Sequence, residues 1–487
     1  MSNPKKAYYV VNQVLFHFEA DGAGPIFPRS GDHDDAPSVP TDLLDELEIH
    51  NKVKFLREAE KRRAFGLRDA GGQAFALVLL ELDGNGPSVA QYVHEMMQEI
   101  RRQTRSLEFP AGARKVRLIG VTPNWLSGAT QGTSIGIGGP ADTPKWIDDP
   151  GNPRALKLMD QLACGPARPV IVCILDTVPG NQTAPWAPTF DNFGGVIYAK
   201  SSLQINDGGL PIKHGDPSAP DDFMVEHGPV IAGIVHDVAP NAKIYLIQVL
   251  NEHAIGSVAS MAEGFDTVRW LRDLDENKGI PCIVNCSFVI AAPSKVPPGG
   301  NVFKQALREL TPPDLDRDMS NPTQLDANEA VFRSIADLIQ PDDSLCGIVA
   351  ASGNDSAGMR PPYMARYPAR LSAALGVGAL EMDDSGKPVR APYSNGPDWQ
   401  VSEGLMTLGT WRGAFAGTIP VNPNGTVRAL PTGYAEWAGT SFAAPVISGL
   451  LALLMGDCGL SLVDAKKSLN RAVKGIEPQT GGKMIHL

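Results

Sequence analysis

Apolar and polar positions alternate through residues 6–20, with Tyr8, Val10, Val14 and Phe16 among the apolar ones, and this period of two predicts a strand. An Asp/Gly/Pro-rich loop over 21–40 follows, and then a helix that starts near Thr41 and runs towards Phe65. Residues 74–82 form a short apolar run bounded by polar positions, the pattern of a buried strand. Ser88 and Gln91 have the spacing at which a cap and the residue three places on satisfy each other's backbone N–H groups. Behind them Val89, Val93, Met96, Met97 and Ile100 recur at helical spacing and define one apolar face. Residues 115–121 supply a further strand. These elements predict a small β/α domain over 1–126, joined by a Gly/Pro-rich linker over 127–154 to everything that follows.

Beyond 155 apolar strands alternate with helices, the rhythm of an α/β domain in which a largely parallel sheet carries helices on both faces. Strands are expected over 168–175, 243–250, 281–290 and 346–352, and helices over 227–235, 257–274, 329–340 and 461–473. Pro/Asp-rich residues 291–328 read as a surface insertion. The longest apolar helix pattern follows Ser441, with Val446, Ile447, Leu450, Leu451 and Leu454 at three- and four-residue spacing. Pro445 falls in its first turn, where a missing N–H costs nothing.

Four side chains capable of hydrolytic chemistry stand at the ends of these elements. Ser441 lies at a helix start, where it is either a cap or a hydroxyl in the field of the dipole and of unpaired N–H groups. His227 heads a helix beside Gly228, as a solvated terminal histidine or as a base against a closely approaching backbone. Asp176 ends an apolar strand, as a turn former or as a buried carboxylate that needs a donor such as an imidazole N–H. Asn354 follows the strand over 346–352, as a turn residue or as an amide donor to an oxyanion. Spacing alone leaves each pair of readings open.

Composition narrows the classes. The net charge of -11 argues against a nucleic-acid or anionic-membrane surface. No apolar run reaches membrane-spanning length, and the first residues lack the apolar core of a signal peptide. Cys164, Cys173, Cys282, Cys286, Cys346 and Cys458 are too sparse for a disulfide scaffold, and several lie in strand-like runs as small hydrophobes. The expectation is a chain made in a reducing cytosol, cytoplasmic or released without a classical leader.

Gly439-Thr440-Ser441-Phe442-Ala443-Ala444-Pro445 resembles the nucleophile motif of the subtilisin-like serine proteases. His227-Gly228-Pro229 through Ile234, Cys173-Ile174-Leu175-Asp176-Thr177 and Ala350-Ala351-Ser352-Gly353-Asn354 resemble that family's histidine, aspartate and oxyanion segments. Tyr367-Pro368-Ala369 and Tyr393-Ser394-Asn395 match further landmarks, in family order, over roughly 155–475. The resemblance implies a subtilisin-like fold and a serine endopeptidase in which Ser441 attacks, His227 carries the proton, and Asp176 holds the imidazole. Asn354 and the Ser441 backbone N–H would stabilise the oxyanion. Edge segments at Gly256 and around Ser287 and Phe288, with Ser352 and Gly353, would bind an extended protein or peptide substrate as an added strand. Arg366 stands where relatives carry a small pocket residue. It is expected either to favour an acidic substrate residue or to turn outward to a surface carboxylate.

No cofactor is implied, and no metal, because the loop that carries a calcium site in many relatives is missing. The histidine segment departs from the family in Pro229 and Val230, and the aspartate segment in its Asp-Thr-Val-Pro-Gly turn. The N-terminal domain is either an inhibitory propeptide or a retained unit, the retained unit being slightly favoured, with a separate inhibitor protein as a partner. Two rival readings are an acid-acting peptidase using Glu226, and a catalytically silent peptide-binding scaffold.

Overall fold

The computed structural model describes residues 9–21, 26–27, 39–51, 54–56, 62–68, 73–83, 86–87, 89–102, 107–111, 114–129, 145–146, 168–178, 193–198, 226–251, 254–290, 335, 345–356, 362–397, 404–414, 418–420, 427–429, 434–478, 480 and 482–485. The expected insertion at 291–328 and nearly all of the helix expected at 329–340 lie outside the described residues.

The N-terminal unit is a sheet backed by helices. Its strands are β1 (Tyr9–Asp21), β2 (Arg62–Arg68), β3 (Gln73–Glu81), β4 (Leu107–Ala111) and β5 (Arg114–Ala129), with helices α1 (Thr41–Asn51) and α2 (Val89–Arg102). β1 lies between β3 and β5, antiparallel to both. The helix expected to reach Phe65 ends at Asn51, and Arg62–Arg68 instead pairs antiparallel with β3. The Lys/Arg/Glu-rich stretch has helical propensity, but edge pairing that buries Ala64 overrides it. β4 was hidden by its brevity, although Leu107, Phe109 and Ala111 alternate inward.

His17, on β1, is buried against the ring of Phe75, with centroids 5.5 Å apart. Burial lowers its pKa from 6.5 to about 3. The unfolded chain therefore takes up a proton below pH 6.5 that the folded chain refuses until about pH 3. Stability is fully present above pH 6.5 and is lost as pH falls from there towards 3, by at most about 1.4 kcal/mol per pH unit. Thermal melts from pH 7 to 4 should fall less steeply for His17→Gln than for the unmutated protein. Parallel curves would show that His17 does not set the acid sensitivity.

The second unit is built on a largely parallel sheet. Its elements begin with β6 (Lys145–Trp146), β7 (Ile171–Asp176), β8 (Phe193–Tyr198), α3 (His227–Val238), β9 (Lys243–Gln248), β10 (Ile255–Ser257) and α4 (Val258–Asp273). They continue with β11 (Cys282–Cys286), β12 (Phe288–Ile290), β13 (Cys346–Ala351), β14 (Ala374–Met382), β15 (Pro388–Arg390), β16 (Leu405–Leu408) and β17 (Thr410–Ala414). The last are β18 (Thr418–Pro420), β19 (Val427–Ala429), β20 (Tyr434–Ala438), α5 (Thr440–Gly456), α6 (Leu462–Arg471), β21 (Gly475–Ile476) and β22 (Lys483–Met484). The sheet order is β21-β22-β16-β14-β13-β11-β7-β9-β8, and every neighbouring pair is parallel except β21 with β22. β7, β11 and β13 are buried at every position, which is why each reads as a continuous apolar run.

Helices cover both faces. A Cβ on Gly264 of α4 would meet Leu175, whereas a Cβ on Gly228 of α3 would meet Asp176. Consecutive strand residues point to opposite faces, so α4 and α3 lie on opposite sides of β7. α5 is buried along its whole length and crosses α3 so closely that a Cβ on Gly449 would come within 2.7 Å of Val238. Cys173, Cys282, Cys286 and Cys346 are free and buried, as expected of cysteines in strand-like runs, and Cys458 is disulfide-bonded.

The two units meet through strand pairing. β5 runs eight residues beyond the strand expected at 115–121 and carries residues 127–129 out of the expected linker. There Ser127 pairs with both Gly256 of β10 and Ile290 of β12, and Gly128 with Ile255 and Val289. Asn124 adds a polar link. Its Oδ1 accepts from the Ala259 N–H in the first turn of α4, while its Nδ2 donates to Gln13.

Candidate active site

Three elements of the parallel sheet and its helices deliver the candidate chemistry to one place. Asp176 is the last residue of β7, at the carboxyl edge where open α/β sheets collect their functional groups. His227 is the first residue of α3, and its Nδ1 lies 2.7 Å from Asp176 Oδ1. Both side chains are fully buried. The same oxygen accepts from the Thr177 N–H at 2.7 Å, so the carboxylate is fixed before it meets the imidazole. With Asp176 as acceptor, the histidine proton belongs on Nδ1, and Nε2 keeps its lone pair. That Nε2 is buried with no hydrogen-bond partner among the described residues.

Gly228 makes this approach possible. A Cβ there would stand 2.1 Å from the Thr177 carbonyl oxygen and 3.2 Å from the Asp176 Cβ. The Gly228 N–H donates to Thr177 Oγ1 at 2.9 Å and completes the join between helix and strand. The His227 ring is walled by Trp437 and Phe442, at centroid distances of 5.7 and 5.4 Å. Phe442 adjoins Ser441, so the turn that bears Ser441 packs on the imidazole.

Ser441 is the second residue of α5, and Gly439 holds the cap position without any side-chain cap. The capping reading of Ser441 therefore fails. Its Oγ donates to the Ser287 carbonyl at 3.2 Å, and Ser287 Oγ donates back to the Ser441 carbonyl at 2.8 Å. Asn285 holds Ser287 through its Nδ2 and accepts from Ser448 of α5 through its Oδ1. Ser287, expected as a substrate contact, is here a clamp on the serine turn.

Asn354 is buried, and its Oδ1 accepts from both the N–H and the Oγ1 of Thr440, at 3.0 and 2.9 Å. With the oxygen claimed by the start of α5, the amide presents its NH₂ end in the opposite direction. Ser352 and Gly353 are tied into this loop by their backbone N–H groups. The Ser352 N–H reaches the Val377 carbonyl, and the Gly353 N–H reaches Thr440 Oγ1. Gly353 has φ +105°, a conformation that favours glycine.

Gly256 and Phe288 do lie on strand edges, and β5 fills the space between them. A Cβ on Gly256 would meet the Val249 carbonyl at 2.3 Å and Ser127 Oγ at 2.9 Å, so glycine lets the inserted strand come close. Arg366 meets a carboxylate of the protein, as one of its two expectations had it, but not at the surface. Its side chain is buried rather than turned outward, and its Nε and Nη2 donate to the Asp355 carboxylate at 2.6 and 2.9 Å. A guanidinium matched in this way has no unpaired charge to offer a substrate carboxylate.

Sequence reading gave no role to Asp355, Thr440, Asn285 or Ser448. It noticed Asn395 only as a landmark. Among the described residues no group of three or more His, Cys, Asp or Glu side chains is placed to hold a metal ion.

The chain is similar to several known proteins. The alkaline protease of Alkalihalobacillus alcalophilus is 26% identical over 61% of this chain and 66% of its own length. Alkaline elastase YaB of Bacillus sp. (strain YaB) is 27% identical over 56% and 60%. The chain thus spans less than two thirds of the length of these relatives. Among solved structures, fervidolysin from Fervidobacterium pennivorans superposes with a TM-score of 0.49 at 15% identity, covering 100% of this chain and 63% of its own. The model of the subtilase family matches residues 168–464, which include Asp176, His227, Asn354 and Ser441, and the chain belongs to that family.

Proposed function

We propose that this chain is a serine endopeptidase in which Ser441 is the nucleophile, His227 the general base and Asp176 the group that orients the base. The buried 2.7 Å contact between Asp176 and His227, set against the turn that bears Ser441, carries this reading. In the cycle the Ser441 hydroxyl turns from the Ser287 carbonyl to His227 Nε2 and gives up its proton as Oγ attacks the peptide carbonyl. The Asn354 NH₂ and the first-turn N–H groups of α5 receive the charge that develops on the carbonyl oxygen. His227 then returns the proton to the leaving amine, and water releases the acyl group by the same route. The retention of His227 on Asp176 favours this mechanism over an acid-acting one built on Glu226.

The N-terminal unit acts as the inhibitor in this reading, in place of a separate protein. β5 lies between β10 and β12 as a substrate strand would, and it ends at Ala129, opposite Phe288 and one register step short of Ser287. The full chain is therefore blocked until it is cut shortly after Ala129. Mass spectrometry of the active form should find a new N-terminus within a few residues of Ala129, and a fluorophosphonate probe should label Ser441 only in that form. Labelling of the uncut chain would refute the inhibitory role. No labelling of either folded form would leave a silent peptide-binding scaffold.

A further inference from the structure

One polar side chain, forty residues away in sequence, grips almost the whole loop that carries Asn354. The Asn395 N–H donates to the Gly353 carbonyl at 2.9 Å, and its Nδ2 donates to the Ser352 carbonyl at 3.2 Å and to Asp355 Oδ2 at 2.9 Å. Its Oδ1 accepts from the Asp355 N–H at 3.0 Å and from Ser356 Oγ at 2.8 Å. Ser352 Oγ in turn donates to the Asn395 carbonyl at 3.1 Å. Residues 352, 353, 355 and 356 are all tied to Asn395, and Asn354 alone is left to Thr440.

The brace is closed by charge. Asp355 receives the fork of Arg366, and the Arg366 N–H donates to the Ser352 carbonyl at 3.0 Å. Asn395, Asp355 and Arg366 are all buried or nearly so, so these bonds hold in a medium that screens them little. A Cβ on Gly353 would meet Asn395 Nδ2 at 2.6 Å, which shows how tightly the loop is pressed on the brace.

We infer that Asn395, with the Asp355–Arg366 pair behind it, is a positioning residue that fixes the Asn354 amide for the oxyanion. The inference rests on the serine-peptidase reading. It gives the buried Arg366 a role in rate rather than in substrate choice. Asn395 itself touches neither substrate nor Ser441; it acts through the backbone on both sides of Asn354.

The test is a cycle of substitutions with kinetics of the mature form on a peptide p-nitroanilide, expressed per titrated active site. Asn395→Ala should lower kcat by about 10- to 100-fold, with KM changed less than about threefold. In an Asn354→Ala background the same substitution should change kcat by less than about threefold, because the donor it positions is already gone. Equal losses in both backgrounds would overturn the positioning role and leave a structural one. If Asn395→Ala does not fold, Asp355→Asn keeps the shape, removes the charge that holds Arg366, and is judged by the same comparison. Absence of Ser441-dependent turnover in the unmutated protein would overturn the peptidase reading and this inference together.

Discussion

Ser441→Ala should lower turnover by about 10⁶ and leave the protein folded. The size of the effect comes from the coupling of the three groups. Once Oγ is gone, the lone pair on His227 Nε2 has no proton to take, and the fixed Asp176 orients a base without a substrate. The fold should tolerate the change because the turn is held by its backbone. Ser287 Oγ bonds the Ser441 carbonyl, and that contact survives. The Oγ bond to the Ser287 carbonyl is lost, worth about 1 kcal/mol. The variant should also accumulate as the uncut chain, since no nucleophile remains to cut after Ala129. Turnover above about 1% of the unmutated value would show that Ser441 is not the nucleophile. Recovery of the variant already cut after Ala129 would show that another protease performs the maturation.

The parts of this molecule that were legible in the sequence are those whose environment is uniform along the chain. β7, β11 and β13 are covered on both faces, so burial writes itself as a continuous apolar run, and each run ends where the chemistry begins. α5 is legible for the same reason. The far end of β5 was not. Residues 122–129 read Thr-Pro-Asn-Trp-Leu-Ser-Gly-Ala, with a proline and a glycine that argue against a strand. The segment is extended because β10 and β12 take it up from both sides, and those partners lie more than a hundred residues away.

The site shows the same division. Asp176, His227, Asn354 and Ser441 each stand at an element end within a recognisable segment. Asn395 has no chemistry of its own and acquires meaning only from the loop it touches. For Arg366 a carboxylate partner was one of two expectations, and what the sequence hid is that the pair is buried rather than at the surface. Asp355, eleven residues earlier, was in place to neutralise it.

The second large effect expected is at Asp176, where replacement by Asn should cost about 10⁴ in turnover while sparing the fold. Asp176 Oδ1 serves two donors at once, His227 Nδ1 and the Thr177 N–H. An amide can place its oxygen there, but it then carries an NH₂ where Oδ2 stood, with no acceptor for it among the described residues. The opposite rotamer sets two donors against the Thr177 N–H and drives His227 to the tautomer with its proton on Nε2, which cannot act as a base. In either rotamer the negative charge that would stabilise the imidazolium in the transition state is gone. The thermal midpoint should nevertheless stay within several degrees of the unmutated value, because a buried amide is easier to desolvate than a buried carboxylate and the side-chain volume is unchanged. Activity and melting together therefore separate the roles. A drop of less than about tenfold in a folded variant would mean that the Asp176–His227 contact does not carry the chemistry. A large drop accompanied by unfolding would mean that the carboxylate mainly joins β7 to α3.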